Sequence, residues 1–102
     1  MERKELRIGN LVQKGEEIFE ADFITIQMAH NYQPIPLNEE WLLKFGFVKL
    51  DLPSKSYFLN GIIIDHYPWG YGIVFYNKCK LNYVHQLQNL YFALTNEELT
   101  WK

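Results

Sequence analysis

Cysteine is almost missing from this sequence. Cys79 stands alone among 102 residues, which excludes an intramolecular disulfide framework, and no Asn-x-Ser/Thr acceptor occurs. Both absences fit a reducing cytoplasm. Long apolar runs are missing too: Gly61 to Ile64 ends at Asp65, far short of the roughly 20 residues that cross a bilayer. The opening Met1-Glu2-Arg3-Lys4-Glu5 is charged and leads into no apolar run, so neither secretion by a signal peptide nor a membrane anchor is expected. There is no low-complexity stretch and no Pro- or Gly-rich linker, and residues 1–102 read as a single domain. An excess of positive charge is also lacking. Net charge is −2 and the largest basic cluster is Arg3, Lys4 and Arg7, which argues against a surface built for phosphate backbones and keeps a nucleic-acid-associated accessory role only as an alternative. No P-loop, G-x-G-x-x-G, G-x-S-x-G or H-E-x-x-H motif is present, so the common nucleotide-binding, serine-hydrolase and zinc-protease signatures are absent.

What remains is a globular composition, 48% hydrophobic and 22% charged, whose patterning predicts an α+β fold. Leu6, Ile8 and Leu11-Val12 read as an opening strand interrupted at Gly9-Asn10. After a turn at Lys14-Gly15, the residues Ile18, Phe19, Phe23, Ile24 and Ile26 read as β, with Ile24, Ile26 and Met28 on one face. A short helix is expected from Asn38, whose side chain can cap it. Glu39 and Glu40 lie at its positive end, Glu40 and Lys44 form an i,i+4 pair, and Gly46 ends it. Val48, Leu50 and Leu52 alternate as a strand up to Pro53-Ser54. An antiparallel meander follows, in which Asn60-Gly61 is a two-residue hairpin signal between Tyr57-Phe58-Leu59 and Ile62-Ile63-Ile64. Ile73 to Tyr76 is a further strand beyond the loop Tyr67 to Gly72. The stretch Asn82 to Leu94 is helical by periodicity, with Tyr83, Val84, Leu87, Leu90, Tyr91 and Leu94 in an arc about 120° wide as its core face.

Three segments taken together carry a resemblance: Glu5-Leu6-Arg7-Ile8-Gly9-Asn10-Leu11-Val12, then Ile35-Pro36-Leu37-Asn38-Glu39-Glu40-Trp41-Leu42-Leu43-Lys44-Phe45-Gly46-Phe47, then Tyr83-Val84-His85-Gln86-Leu87-Gln88-Asn89-Leu90-Tyr91-Phe92-Ala93-Leu94-Thr95. The chain resembles small proteins of Bacteroidota, their phages and prophages, a family with no active site to carry across. Relatives often have Thr at the position of Asn38 and Gly at that of Asn96, changes that preserve a cap at each place. The region from Gly15 to Gln33 is short and atypical beside them, which implies a different target if that region makes the contact. The resemblance implies a bacterial host cell and a mobile-element setting, where small proteins act by blocking or modifying a host system. The opening Ile8-Gly9-Asn10-Leu11-Val12 also looks like the first strand of SH3-like small barrels, a likeness that assigns no function.

The function expected on these grounds is non-catalytic binding, in which a phage-type counter-defence or host-modifying factor sequesters a host protein or a small nucleotide-like ligand. No cofactor or metal is expected. The best ligand candidates are His66, Tyr67, Trp69 and Tyr71, aromatic rings on a glycine-flanked loop, with Trp69 and Tyr71 expected to be exposed for stacking and His66 and Tyr67 to hydrogen-bond. From Leu81 to Asn96 there is no Lys, Arg, Asp or Glu. This uncharged stretch suggests that His85, Gln88, Asn89 and Phe92 form an outer helix face used for homo-oligomerisation, a dimer being the simplest form. An alternative is a small cysteine-dependent hydrolase or transferase using Cys79, His85 and Asn89, since His85 and Asn89 lie one helical turn apart. Metal binding by Asp65, His66, Cys79 and His85 lacks any paired-ligand spacing.

Overall fold

A computed structural model describes residues 1, 3–50, 56–73 and 76–101, with backbone only at Ile73 and Tyr76 to Cys79. The chain groups into two compact units, residues 1–36 with 83–98 and residues 37–82 with 99–102. The fold is α+β, as the patterning predicts.

In the first unit the chain opens with a 3-10 turn at Arg3–Glu5 and a tight turn through Gly9, whose φ of +94° favours glycine. The opening strand therefore starts only at Leu11. Leu6 and Ile8 precede it, because the backbone there is committed to the turn, with Asn10 N donating to Arg7 O at 3.0 Å. β1 (Leu11–Lys14) and β2 (Glu17–Glu20) form an antiparallel hairpin that pairs Val12 with Phe19. Together they make a separate two-stranded sheet, so no SH3-like barrel closes among the described residues.

The β reading continues too far at the next element. Residues Phe23–Gln27 are a helix, α1, followed by a 3-10 turn at Ala29–Asn31. The reason lies at Asp22. Its Oδ1 accepts from Thr25 N at 2.8 Å and from Thr25 Oγ1 at 2.9 Å, a cap that offsets the β-branched character of Ile24, Thr25 and Ile26. These hydrogen bonds hold the Asp22 carboxyl below the usual carboxylate range. Beyond this helix, Gln33 pairs with Gln13 through two backbone hydrogen bonds. The unit closes with α3 (Val84–Thr95), ended by Asn96 in the left-handed region with φ +60°.

In the second unit α2 (Glu39–Lys44) forms as expected: Asn38 Oδ1 accepts from Trp41 N at 3.0 Å, and Glu40 pairs with Lys44 at 3.4 Å. Its end is a Schellman motif, with Gly46 N donating to Leu43 O and Phe47 N to Leu42 O around Gly46 at φ +96°. An antiparallel meander follows, in the order β3 (Val48–Leu50), β4 (Ser56–Leu59), β5 (Ile62–Tyr67), β6 (Gly70–Ile73) and β7 (Tyr76–Leu81). Leu52, Pro53, Ser54, Val74 and Phe75 lie outside the described residues. The β4–β5 turn has positive φ at both Asn60 (48°) and Gly61 (84°), the requirement of a type I′ hairpin. Tyr57, Ile62, Ile64, Tyr71 and Leu81 are buried, as are Trp41, Leu42, Phe45 and Phe47.

Candidate functional site

The aromatic segment is shorter as a loop than its composition suggests. β5 runs through Tyr67 and β6 resumes at Gly70, leaving Pro68-Trp69 as a two-residue connection. His66 faces Tyr71 across the ladder with ring centroids 4.7 Å apart. Tyr71 is only 9% exposed. Its ring lies 6.1 Å from Tyr57, and burial pushes its phenol up, with the Glu39 carboxylate adding to the shift. The expectation that both Trp69 and Tyr71 are exposed thus fails at Tyr71, because strand pairing turns it to the buried face of the sheet. Trp69 is 43% exposed, yet it stacks on Tyr67 at 4.8 Å with 9° between planes, and the Lys80 ammonium lies 5.5 Å from its centroid. Trp69 is thus exposed as expected, with part of its π surface engaged by Tyr67 and Lys80.

The uncharged stretch of α3 also differs from expectation. His85 and Gln88 are each 2% exposed, whereas Leu94, assigned to the core arc, is exposed. The buried arc is rotated by about 80° toward His85 and Gln88. Charge is absent here because the opening segment of the same unit lies against this face. Gln88 Oε1 accepts from Leu11 N at 2.7 Å and Nε2 donates to Gly9 O at 3.2 Å. Asn89 Oδ1 accepts from Asn10 Nδ2 at 2.8 Å and from Arg7 Nε at 3.1 Å, while its Nδ2 donates to Glu5 O. The Arg7 guanidinium lies 4.4 Å from the Phe92 centroid and pairs with Glu98. These contacts remove the reason for assigning His85, Gln88, Asn89 and Phe92 to an intermolecular face.

The same contacts bear on the thiol alternative. Asn89 is occupied by Arg7 and Asn10 and makes no bond to His85. Cys79 lies in β7, its side chain outside the described residues. His85 stacks on Tyr83 at 5.9 Å, and its Nδ1 is buried without a hydrogen-bond partner among the described residues. Burial pushes its imidazole below the ordinary value, opposed in part by Glu5. No group of three His, Cys, Asp or Glu among the described residues could hold a metal ion, and no described helix is long and apolar enough to cross a membrane.

The surface feature that the sequence reading missed is α1. This helix is inverted. It buries Thr25, and the following turn buries Ala29, while Phe23 (67% exposed), Ile24 (69%) and Met28 (44%) face outward. Ile24 and Met28 are four residues apart, and Phe23 lies beside them at the helical angle, so the three share one outward arc. The available signal was Asp22 placed three residues before Thr25, a capping pattern that the β-branched run obscured. A shallow open depression lies elsewhere, in the second unit, lined by Glu40, Leu43, Lys44, Phe45, Gly46 and Thr100. It gathers one ion pair and apolar side chains but no set of convergent polar groups.

Set against protein-family models, curated proteins and solved structures, the chain matches none.

Proposed function

We propose that this chain is a non-catalytic binding protein that engages another protein through the outward face of α1. The single observation that carries the reading is the exposure of Phe23 and Ile24 on a helix that buries threonine and has alanine beneath its end. Isolated exposed apolar residues are ordinary, but large side chains turned outward while small ones are buried are characteristic of an interaction site. Covering Phe23 and Ile24 would contribute about 1.5–3 kcal/mol each before the costs of association. This face lies within residues 15–33, the part that departs from the resembling phage and prophage proteins. A host protein as target fits the mobile-element setting that the resemblance implies.

The test is affinity capture from extract of a Bacteroidota host, comparing the wild-type chain with Phe23→Ser/Ile24→Ser and Trp69→Ala. The expected result is one protein recovered in near-stoichiometric amount by the wild type and by Trp69→Ala, and lost with the double variant while its circular dichroism stays native. Identical recoveries from all three would refute the reading.

A further inference from the structure

We infer that residues 3–8 form an acid-sensitive strap, which lies on α3 while His85 is uncharged and swings away about Gly9 when that imidazole takes up a proton. His85 is buried, and its Nδ1 has no hydrogen-bond partner among the described residues. A neutral ring tolerates this, because one imidazole nitrogen can remain an unprotonated acceptor. An imidazolium carries N–H on both nitrogens, so protonation sets a charge and an unanswered donor in the same buried place. The charged ring therefore needs water, which reaches it where the cover opens most readily.

Of the segments that pack on α3, residues 3–8 are held least. β1 lies against α3 but is paired with β2 along its whole length, and the start of α3 is tied down by Val84 N donating to Ile35 O at 2.8 Å. Residues 3–8 belong to no sheet, and Arg3, Lys4, Glu5 and Ile8 are exposed. They are fastened to side chains and backbone one helical turn beyond His85. Asn89 Nδ2 donates to Glu5 O at 3.3 Å, Arg7 Nε to Asn89 Oδ1 at 3.1 Å and Arg7 Nη2 to Gln88 O at 3.3 Å. A hinge stands at the end of this segment. Gly9 N donates to Ala21 O at 2.8 Å, Ala21 N donates to Asn10 O at 2.7 Å, and Asn10 is buried, so the chain is fixed from there onward. Gly9 has φ +94° and nothing within 4 Å of the place a Cβ would take, which leaves it free to absorb a change of dihedral angles.

The groups that face His85 set the sign of the response. From the opening turn comes the Glu5 carboxylate, close enough to favour the imidazolium, yet burial outweighs it and holds the imidazole below its ordinary value. From α3 and its cap come the Tyr83 ring, stacked at 5.9 Å, and the uncharged amides of Gln88 and Asn89. β1 contributes the buried, apolar Leu11 and Val12, while the Lys14 ammonium lies 6.0 Å from the Tyr32 centroid instead. Ile35 and Pro36, before α3, carry no charge, and Arg7 is engaged by Glu98 and Phe92. With the strap lifted, the ring regains its ordinary affinity for protons. The lifted state then binds more protons than the closed one, and opening grows as pH falls below about 6.5. Carboxylates ordinarily titrate at about 4, below this window.

The experiment is amide hydrogen exchange of the full chain between about pH 7.5 and about pH 5, corrected for the intrinsic dependence of exchange on pH. The reporters are Leu6 N and Arg7 N, which donate to Arg3 O and Asn10 Oδ1. Val12 in β1 and Tyr91 in α3 serve as references, and NMR follows the His85 imidazole in the same samples. Opening at Leu6 and Arg7 should rise several-fold as pH falls, in step with the titration of His85, while Val12 and Tyr91 change less. Glu5→Gln should enlarge the rise, since Glu5 is the group that opposes it, and His85→Gln should abolish it. Protection lost equally at Val12 and Tyr91 would show unfolding of the whole unit and overturn the strap. A rise in His85→Gln as large as in the wild type would overturn it too. In the wild type alone, protection at Leu6 and Arg7 that holds or tightens as His85 titrates would do the same, marking an imidazolium paired with Glu5.

Discussion

Replacing Gln88 with Met removes two hydrogen bonds while nearly preserving side-chain length and volume. Gln88 is 2% exposed, and its amide spans from Leu11 N to Gly9 O. In the variant the Leu11 amide is left buried and unpaired, a loss of about 1–3 kcal/mol. Gly9 is half-buried, so its carbonyl can turn to water, and its contribution is about 0.5 kcal/mol. The expected destabilisation is therefore about 1.5–3.5 kcal/mol, a drop of roughly 6–28 °C in melting temperature for a chain of this size. Urea unfolding of both proteins at one temperature gives the difference, and amide exchange at Leu11 locates it. Exchange there should accelerate by about tenfold or more, while amides of the β4–β5 hairpin respond less. A change below about 0.5 kcal/mol with unaltered Leu11 protection would mean that this hydrogen bond does not anchor the opening strand.

Two further predictions follow from single positions. Burial lowers the His85 imidazole below its ordinary value of 6.5, so the unfolded chain takes up that proton first. The contribution is complete above about pH 6.5 and is lost as pH falls below it. The wild type should weaken through that window before the carboxylates titrate, His85→Gln should not, and equal slopes by urea titration would refute the assignment. At Gly70 φ is +137°, and an added Cβ would stand 2.7 Å from Asn82 Oδ1. Gly70→Ala should cost about 1–3 kcal/mol, and Gly70→Ala/Asn82→Ala should recover only the steric part. Full recovery in the double variant would show that the backbone conformation carries no strain.

Where local chemistry was sufficient, the sequence was readable to the residue. Asn38, the Glu40–Lys44 pair and Gly46 define α2 through atoms close in the chain, and Asn60-Gly61 defines its hairpin through the φ values those residues tolerate. α1 was misread because Phe23, Ile24 and Ile26 have β propensity, which the Asp22 cap and the burial of Thr25 and Ala29 override. The candidate site was hidden by the same error, since a strand puts Ile24, Ile26 and Met28 on one face, whereas the helix turns Ile26 aside and brings Phe23 beside Ile24 and Met28.

The sequence by itself determined the α+β class, the short capped helix, the type I′ hairpin and the absence of charge along α3, because these depend on propensities, caps and spacings within a few residues. Only the tertiary structure decided what that uncharged face meets. Gln88 and Asn89 answer Leu11, Gly9, Asn10 and Arg7, residues 77 to 82 positions away. An amide side chain satisfied by distant backbone has the same one-dimensional pattern as one waiting for another molecule. Strand pairing decided in the same way that Tyr71 turns inward and Trp69 stacks on Tyr67. The orientation of a side chain follows from which neighbour its strand or helix packs against, and that neighbour is set by contacts no local window contains.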